Sequence, residues 1–344
     1  MKNGEKTIDV SIVGATGLVG REMLRLLAER DFPLGTLRAF SSERSAGTDF
    51  QFRDRKLRVE TLTRDALIGD GGPGVILASA GSTVSGLLRE WVRGTDLIVV
   101  DNSSAFRMDP LVPLVVPEVN PDAVLGHKGY IANPNCTTIP LAIVLDAVRL
   151  AAGLEEVSVA TYQSVSGAGN RAMEELAKQT MGLLTEEHVD PDVFPHRIAF
   201  NLIPQIGDVR DDGYTTEERK VIDETRKILG MPELVISCTA VRVPTFACHG
   251  EAVQLVTRED ISRDALSRAL AEKSGLTVLD APKEMVYPMP INVVEALDVF
   301  VGRVRKHPDK PRTFDLWLVS DNLWKGAALN SLQIAERMLA DGRI

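Results

Sequence analysis

The stretch Ile8-Asp9-Val10-Ser11-Ile12-Val13-Gly14-Ala15-Thr16-Gly17-Leu18-Val19-Gly20 decides how the chain is read. Its first six residues alternate and are β-branched, which predicts a strand. The glycines follow at once, and Met23, Leu26, Leu27 and Arg30 then continue at helical spacing. Strand, glycine turn and helix together let backbone approach a pyrophosphate, while the helix start supplies N–H groups and a positive dipole end. The spacing is G-x-x-G-x-x-G rather than the commoner G-x-G-x-x-G, so its weight comes from this context and not from the pattern alone. The competing reading is a turn that is merely structural.

Outward from this turn, Leu37-Arg38-Ala39-Phe40 predicts a second strand ending in Ser41-Ser42-Glu43-Arg44-Ser45-Ala46-Gly47. An acidic residue here holds a ribose 2′-hydroxyl, whereas arginine and hydroxyls accept a 2′-phosphate. Glu43 leaves both open, along with a plain solvated loop, and Arg44 between serines favours NADP. Val75 to Gly81, a strand ending in a small-residue loop, and the buried strand Asp96 to Asp101 are predicted next, with a helix over Ser82 to Trp91 between them. Strands alternating with helices point to a doubly wound parallel sheet. Gly14, Thr16, Gly17, Leu18 and Val19, then Ser41 to Ser45, Ser79 to Ser82 and Asn102-Ser103-Ser104, are expected along the crevice at its strand ends. Arg107, just beyond, could hold an anion there or form a surface ion pair with Asp109.

The chain has 344 residues, 44% hydrophobic and 25% charged, which suits two globular domains and disfavours disorder. A formal net charge of −9 argues against a broad nucleic-acid or anionic-membrane surface. The polar start, Met1 to Asp9, shows no signal peptide. The apolar run from Ile139 to Ala152 is interrupted by Asp146 and Arg149 and is too short to span a bilayer. Cys136, Cys238 and Cys248 are too few and too scattered for a disulfide framework or a zinc site, so a cytoplasmic protein without a metal is expected.

Asn133-Pro134-Asn135-Cys136-Thr137-Thr138 follows a short strand, Tyr130-Ile131-Ala132, and Pro140 then suits the first turn of a helix. A thiol at a helix start has its thiolate favoured, and the N–H groups nearby could hold an oxyanion. Its polar, turn-forming neighbours do not suit a core filler. Such a nucleophile needs a partner base. Of His127, His188, His196, His249 and His307, His249 has the best setting, where a loop meets a strand seven residues after Arg242. Cys238 and Cys248 read as structural. Further elements are a strand from Thr161 turning at Gly167 into a helix from Met173, and a helix beginning near Thr215 that places Glu217 and Lys220 on one face. A strand, Trp317 to Ser320, and a helix from Ala327 to Leu339 end the chain.

Together, Gly14 to Gly20, Asn102-Ser103-Ser104-Ala105-Phe106-Arg107, Asn133 to Thr138, Gln163-Ser164-Val165-Ser166-Gly167-Ala168-Gly169 and Asp321-Asn322 resemble the aspartate-semialdehyde dehydrogenase family, in its order and over almost the whole chain. The resemblance implies an α/β fold: an NADP-binding Rossmann domain over 1–135, joined by the terminal helix 321–344, and an α+β catalytic and dimerisation domain over 136–320. It implies NADPH-dependent reduction of L-aspartyl 4-phosphate to aspartate semialdehyde with release of phosphate, serving lysine, threonine, methionine and diaminopimelate synthesis, in a homodimer. It assigns Cys136 as nucleophile, His249 as acid/base and Gln163 as the residue that orients the intermediate. Arg242 is implied for the substrate carboxylate, Glu217 for its amino group, and Arg107 and Lys220 for phosphate. Arg44 and Ser45 are implied for the 2′-phosphate, and Ser166, Gly167 and Asn322 for the nicotinamide side.

One departure stands out. Where the family often has asparagine-glycine before the histidine and serine after it, this chain has Ala247-Cys248 and Gly250. The nearest rival, an N-acetylglutamyl phosphate reductase, would leave Glu217 without an amine to meet. A non-catalytic paralogue would be expected to lack Cys136 or His249. A reductase using a Tyr-x-x-x-Lys pair is disfavoured because Tyr162 is followed by Ser166.

Overall fold

The structure is a computed structural model that describes residues 7–69 and 74–344; the polar start read at residues 1–6 lies outside it. Contacts group the chain into two units, residues 1–134 with 327–344, and residues 135–326.

The first unit begins with β1 (Ile8–Val13), α1 (Leu18–Glu29), β2 (Leu34–Ser41), β3 (Asp49–Phe52), β4 (Arg55–Thr61), α2 (Arg64–Ile68), β5 (Gly74–Ala78), α3 (Ser82–Trp91), β6 (Leu97–Asp101) and β7 (Tyr130–Ala132). Its sheet runs β3-β4-β2-β1-β5-β6-β7, parallel except for β3 against β4. β5 is buried at every residue because helices cover both faces, which explains its unbroken apolar run. The β3–β4 hairpin is an addition that the strand-helix alternation did not announce: six of its eleven strand residues are exposed, and only Phe52, Leu57 and Val59 are buried.

The second unit holds α4 (Thr138–Ala152), β8 (Glu156–Gln163), α5 (Asn170–Thr185), α6 (Thr216–Leu229), β9 (Val235–Arg242), β10 (His249–Val256), α7 (Arg263–Glu272), β11 (Leu276–Val278), β12 (Val299–Lys306) and β13 (Thr313–Ser320). Its mixed sheet runs β11-β12-β13-β10-β8-β9. α4 is buried all round from Thr138 to Val148, so its apolar run belongs to a core helix. Among the described residues no helix is long and apolar enough to cross a membrane. Parallel β8 and β9 end side by side, with Gln163 opposite Arg242, while antiparallel β10 starts at His249 opposite Ser320. This sheet edge therefore collects Gln163, Arg242 and His249.

α8 (Leu329–Ala340) returns to the first unit, where it packs on α1, β5 and β6. It starts two residues later than the spacing predicts because a π-turn, Trp324–Ala328, precedes it. α5 starts earlier than its apolar pattern, at Asn170, because its first turn is exposed and polar.

Candidate active site

In the first unit, Gly14 adopts a φ of +87°, and a Cβ there would lie 2.3 Å from the Ser79 carbonyl oxygen. A Cβ on Gly20 would lie 2.2 Å from the Gly14 carbonyl oxygen, so the helix start packs directly on the turn. No side chain caps the N-terminus of α1 and its first turn has no acid. This turn fits an anionic pyrophosphate on physical grounds. Thr16, Gly17, Leu18 and Val19 form the turn and helix start, Ser41 ends the neighbouring strand β2, and Ser79 follows the neighbouring strand β5. Arg44 and Ser45 lie in a single 3-10 turn after β2, with the Arg44 side chain exposed. Arg107 is buried and donates Nη2 to the Asn102 carbonyl at 2.7 Å, while the Asp109 carboxylate receives Arg89 Nη1 at 2.6 Å.

In the second unit, the half-buried Cys136 Sγ lies 3.4 Å from His249 Nε2. The other ring nitrogen decides the tautomer. Ser164 N–H donates to His249 Nδ1 at 3.1 Å, and Ser164 Oγ is also 3.1 Å away. An accepting Nδ1 puts the proton on Nε2, so the neutral ring points an N–H at sulfur. Burial, reinforced by the Arg242 guanidinium, pushes the imidazolium pKa down to about 3. The expected helix-start donors are partly spent: Thr137 N–H donates to Asn135 Oδ1 at 2.9 Å, which removes it as an oxyanion donor.

Around this pair stand the other expected groups. Glu217 Oε1 accepts from Asn135 Nδ2 at 2.8 Å and from Gln163 Nε2 at 3.4 Å. Its Oε2 accepts from Lys220 Nζ at 3.0 Å, so the pair read as one helix face is a real contact beside a buried carboxylate. Arg242 donates Nη1 to the Ser164 carbonyl at 2.7 Å, and burial lowers its pKa without neutralising it. A Cβ on Gly167 would lie 3.1 Å from Arg242 Nη1 and 3.5 Å from His249 Nε2, so only glycine leaves that space open. The structure thus gathers Cys136, His249, Gln163, Glu217, Lys220, Arg242 and Gly167 in one unit.

Asn322 is held by a set of hydrogen bonds. Its Oδ1 accepts the Cys248 N–H at 3.0 Å and Ser164 Oγ at 3.2 Å, and its Nδ2 donates to Ser166 Oγ at 3.0 Å. The amide is committed to the loops that hold His249. The departure beside His249 also has a physical reading. Cys248 is buried with a φ of +65°, the region where glycine carries no Cβ penalty, and its thiol fills a cluster with Val293 and Val319. Gly250 leaves room for an aromatic ring: a Cβ there would lie 2.5 Å from Trp317 Cη2. Ser164, Asn135, Glu224 and Gly326 were not assigned roles by sequence. A Cβ on Gly326 would lie 3.0 Å from Cys136 Cβ, so this glycine packs against the thiol residue. The one available signal was the seven-residue spacing of Glu217 and Glu224 on α6, two helical turns on one face.

Glu251 shares the sheet face of His249, two residues along β10. It is buried, and among the described residues neither carboxyl oxygen has a hydrogen-bond partner. Burial raises its pKa well above the usual carboxylate range, which favours the neutral acid in the folded protein. The unfolded chain ionises near pH ~4.3, so this group's stability contribution is full below that pH and is lost as pH rises, at about 1.4 kcal/mol per unit. Glu251→Gln should therefore raise Tm more at pH 8 than at pH 5. Equal shifts at both pH values, measured by thermal melts, would refute a protonated Glu251.

Residues 9–127 match the family described as semialdehyde dehydrogenase, NAD binding domain, and residues 145–325 match its dimerisation domain. The aspartate-semialdehyde dehydrogenase of Bacillus subtilis (strain 168) is 46% identical over 339 residues, covering 96% of this chain and 97% of its own. That of Aquifex aeolicus (strain VF5) is 43% identical over 341 residues, covering 97% and 99%. The crystal structure of aspartate semialdehyde dehydrogenase II from Vibrio cholerae matches with a TM-score of 0.94 at 39% identity, covering 98% of this chain and 99% of that one. The same enzyme complexed with ASA matches to the same degree. With both halves and nearly the full length accounted for, the chain belongs to the aspartate-semialdehyde dehydrogenase family.

Proposed function

We propose that this protein catalyses the NADPH-dependent reductive dephosphorylation of L-aspartyl 4-phosphate to L-aspartate 4-semialdehyde, through a thioester on Cys136. The observation that carries this reading is the Cys136 Sγ to His249 Nε2 contact of 3.4 Å. Cys136 reacts as the thiolate, its proton given up to solvent; the sulfur attacks the acyl carbon, the carbonyl oxygen gathers charge, and the tetrahedral centre collapses by expelling phosphate. A bound nicotinamide would supply the hydride needed to take the thioester to the aldehyde level, and Cys136 would be the thiolate leaving group. His249 Nε2–H stabilises first the thiolate and then the oxygen that gathers charge. Arg242 meets the substrate carboxylate with a planar fork, Glu217 meets its ammonium, and Arg107 and Lys220 meet phosphate oxygens. Gln163 orients the acyl group, and Ser166, Gly167 and Asn322 shape the nicotinamide side. The substrate carries one cation and several anionic oxygens, and the residue set offers one carboxylate and three basic groups.

We assign the reaction to the pathway that makes lysine, threonine, methionine and diaminopimelate, in a cytoplasmic homodimer. The test is phosphate-dependent reduction of NADP with aspartate semialdehyde, run beside N-acetylglutamate semialdehyde. Turnover of the first substrate is expected, and preference for the second would overturn the assignment. In the same assay Arg44→Ala should raise KM for NADP about tenfold or more while leaving KM for NAD within about twofold. An equal effect on both nucleotides would remove the 2′-phosphate role of Arg44.

A further inference from the structure

Asn135, immediately before the nucleophile, is tied down on every side. Its backbone N–H donates to Glu224 Oε2 at 2.7 Å and its carbonyl accepts from Ile139 N–H at 3.1 Å. Its side-chain Nδ2 donates to Glu217 Oε1 at 2.8 Å. Its Oδ1 accepts from Thr137 N–H at 2.9 Å and from Thr137 Oγ1 at 2.6 Å. All these groups are buried, and both carboxylates come from one helix, α6. One planar amide thus has its nitrogen on Glu217 and its oxygen on the residue that follows Cys136. A rigid plane cannot move at one end without moving at the other. Cys136 lies between the two points at which Asn135 is held, its own anchors on α6 and its bond to Thr137.

We propose that Asn135 is a positioning residue that couples recognition of the substrate's amino group at Glu217 to the placement of the Cys136 thiol. This rests on the proposed function, in which Glu217 meets an ammonium. An ammonium that docks on Glu217 fixes the carboxylate, the carboxylate fixes the Asn135 amide, and the amide fixes the Cys136–Thr137 backbone. A substrate without the amine leaves the Glu217 carboxylate with its contacts to Lys220, Gln163 and Asn135 and adds none. Discrimination against deamino substrates then appears in kcat as well as in KM, because the amine's binding energy is used to set the nucleophile.

The experiment compares aspartate semialdehyde with succinate semialdehyde, its deamino analogue, at saturating phosphate and NADP. In the unaltered protein kcat should favour aspartate semialdehyde by about tenfold or more. In Asn135→Ala that gap should shrink to about threefold or less, through loss of kcat on aspartate semialdehyde, while KM still favours it because Glu217 remains. Thr137→Val removes the Oγ1 half of the last link, leaves the backbone N–H half and keeps side-chain volume, so it carries the test if Asn135→Ala does not fold. It should shrink the kcat gap in the same direction. Equal loss of kcat on both substrates in a variant, or equal kcat values in the unaltered protein, would overturn the coupling and leave Asn135 as scaffold. Absence of any aspartate semialdehyde turnover in the unaltered protein would instead sink the proposed function itself.

Discussion

Cys136→Ala should lower turnover by about 10⁴-fold or more while the nucleotide still binds. The sulfur is the group that would bond to the acyl carbon, and no neighbour can replace it. Asn135 and Thr137 offer an amide and a hydroxyl already engaged with each other, and His249 points an N–H, not a lone pair, at this position. The substitution removes one atom from a half-buried site packed against Gly326, so the fold should survive. Nucleotide binding, read by fluorescence, should stay within about twofold because the glycine turn belongs to the other unit. A second measurement isolates the covalent step. Without phosphate the unaltered protein, mixed with aspartate semialdehyde and NADP, should release about one equivalent of NADPH per Cys136 and then slow, as thioester accumulates. The alanine variant should give no such burst. Residual activity above about a tenth of the original, or a burst without the thiol, would end the covalent mechanism.

The fold was legible where burial is two-sided or strictly periodic. β1 alternates, β5 and β6 are apolar runs because helices cover both faces of the sheet, and α3 was bounded to the residue by its alternation of faces. The β3–β4 hairpin was not, since an exposed edge ribbon needs no apolar pattern. The start of α8 was displaced by a π-turn, and local propensity carries no signal for that. In the site, the thiol was legible because a cysteine among turn-formers before a helix is an unusual combination. Its contact with His249 spans 113 residues of sequence and is created by the sheet, where β10 begins beside the ends of β8 and β9. The positioning residues were hidden for a related reason. Ser164 acts through its backbone N–H, which every residue but proline has, and Glu224 acts on a backbone N–H in turn. The Ala247-Cys248 departure, a doubt in the sequence, becomes an understood exchange: a cysteine accepts a left-handed φ and fills an apolar cluster, with its N–H secured by Asn322.

His249→Gln should cut kcat/KM by about 10²- to 10⁴-fold without changing the shape of the pH profile between pH 5 and 8. Nδ1 of His249 accepts the Ser164 N–H. A second proton on that nitrogen would face a donor, so the doubly protonated ring is opposed by geometry as well as by burial and the Arg242 charge. Its pKa, pushed down to about 3, keeps the ring neutral across the working range. The Nε2–H therefore donates at every pH from 5 to 8, and His249 contributes no limb near the ordinary histidine value of about 6.5. Folding linkage follows the same sign. The unfolded chain takes up a proton as pH falls through about 6.5 and the folded chain does not, so stability is lost from that point downward toward pH ~3. Glutamine offers an amide N–H of similar reach but cannot be turned into the same in-plane donor by Ser164, which is why a partial loss is expected rather than abolition. Alanine, with no donor, should fall further than glutamine. If the unaltered protein shows an acid limb near pH 6.5 that disappears in His249→Gln, the ring is titrating during turnover and the fixed-tautomer donor is wrong. If the limb is absent, or persists in the variant, the imidazole serves as a permanent donor whose proton is placed by a backbone amide.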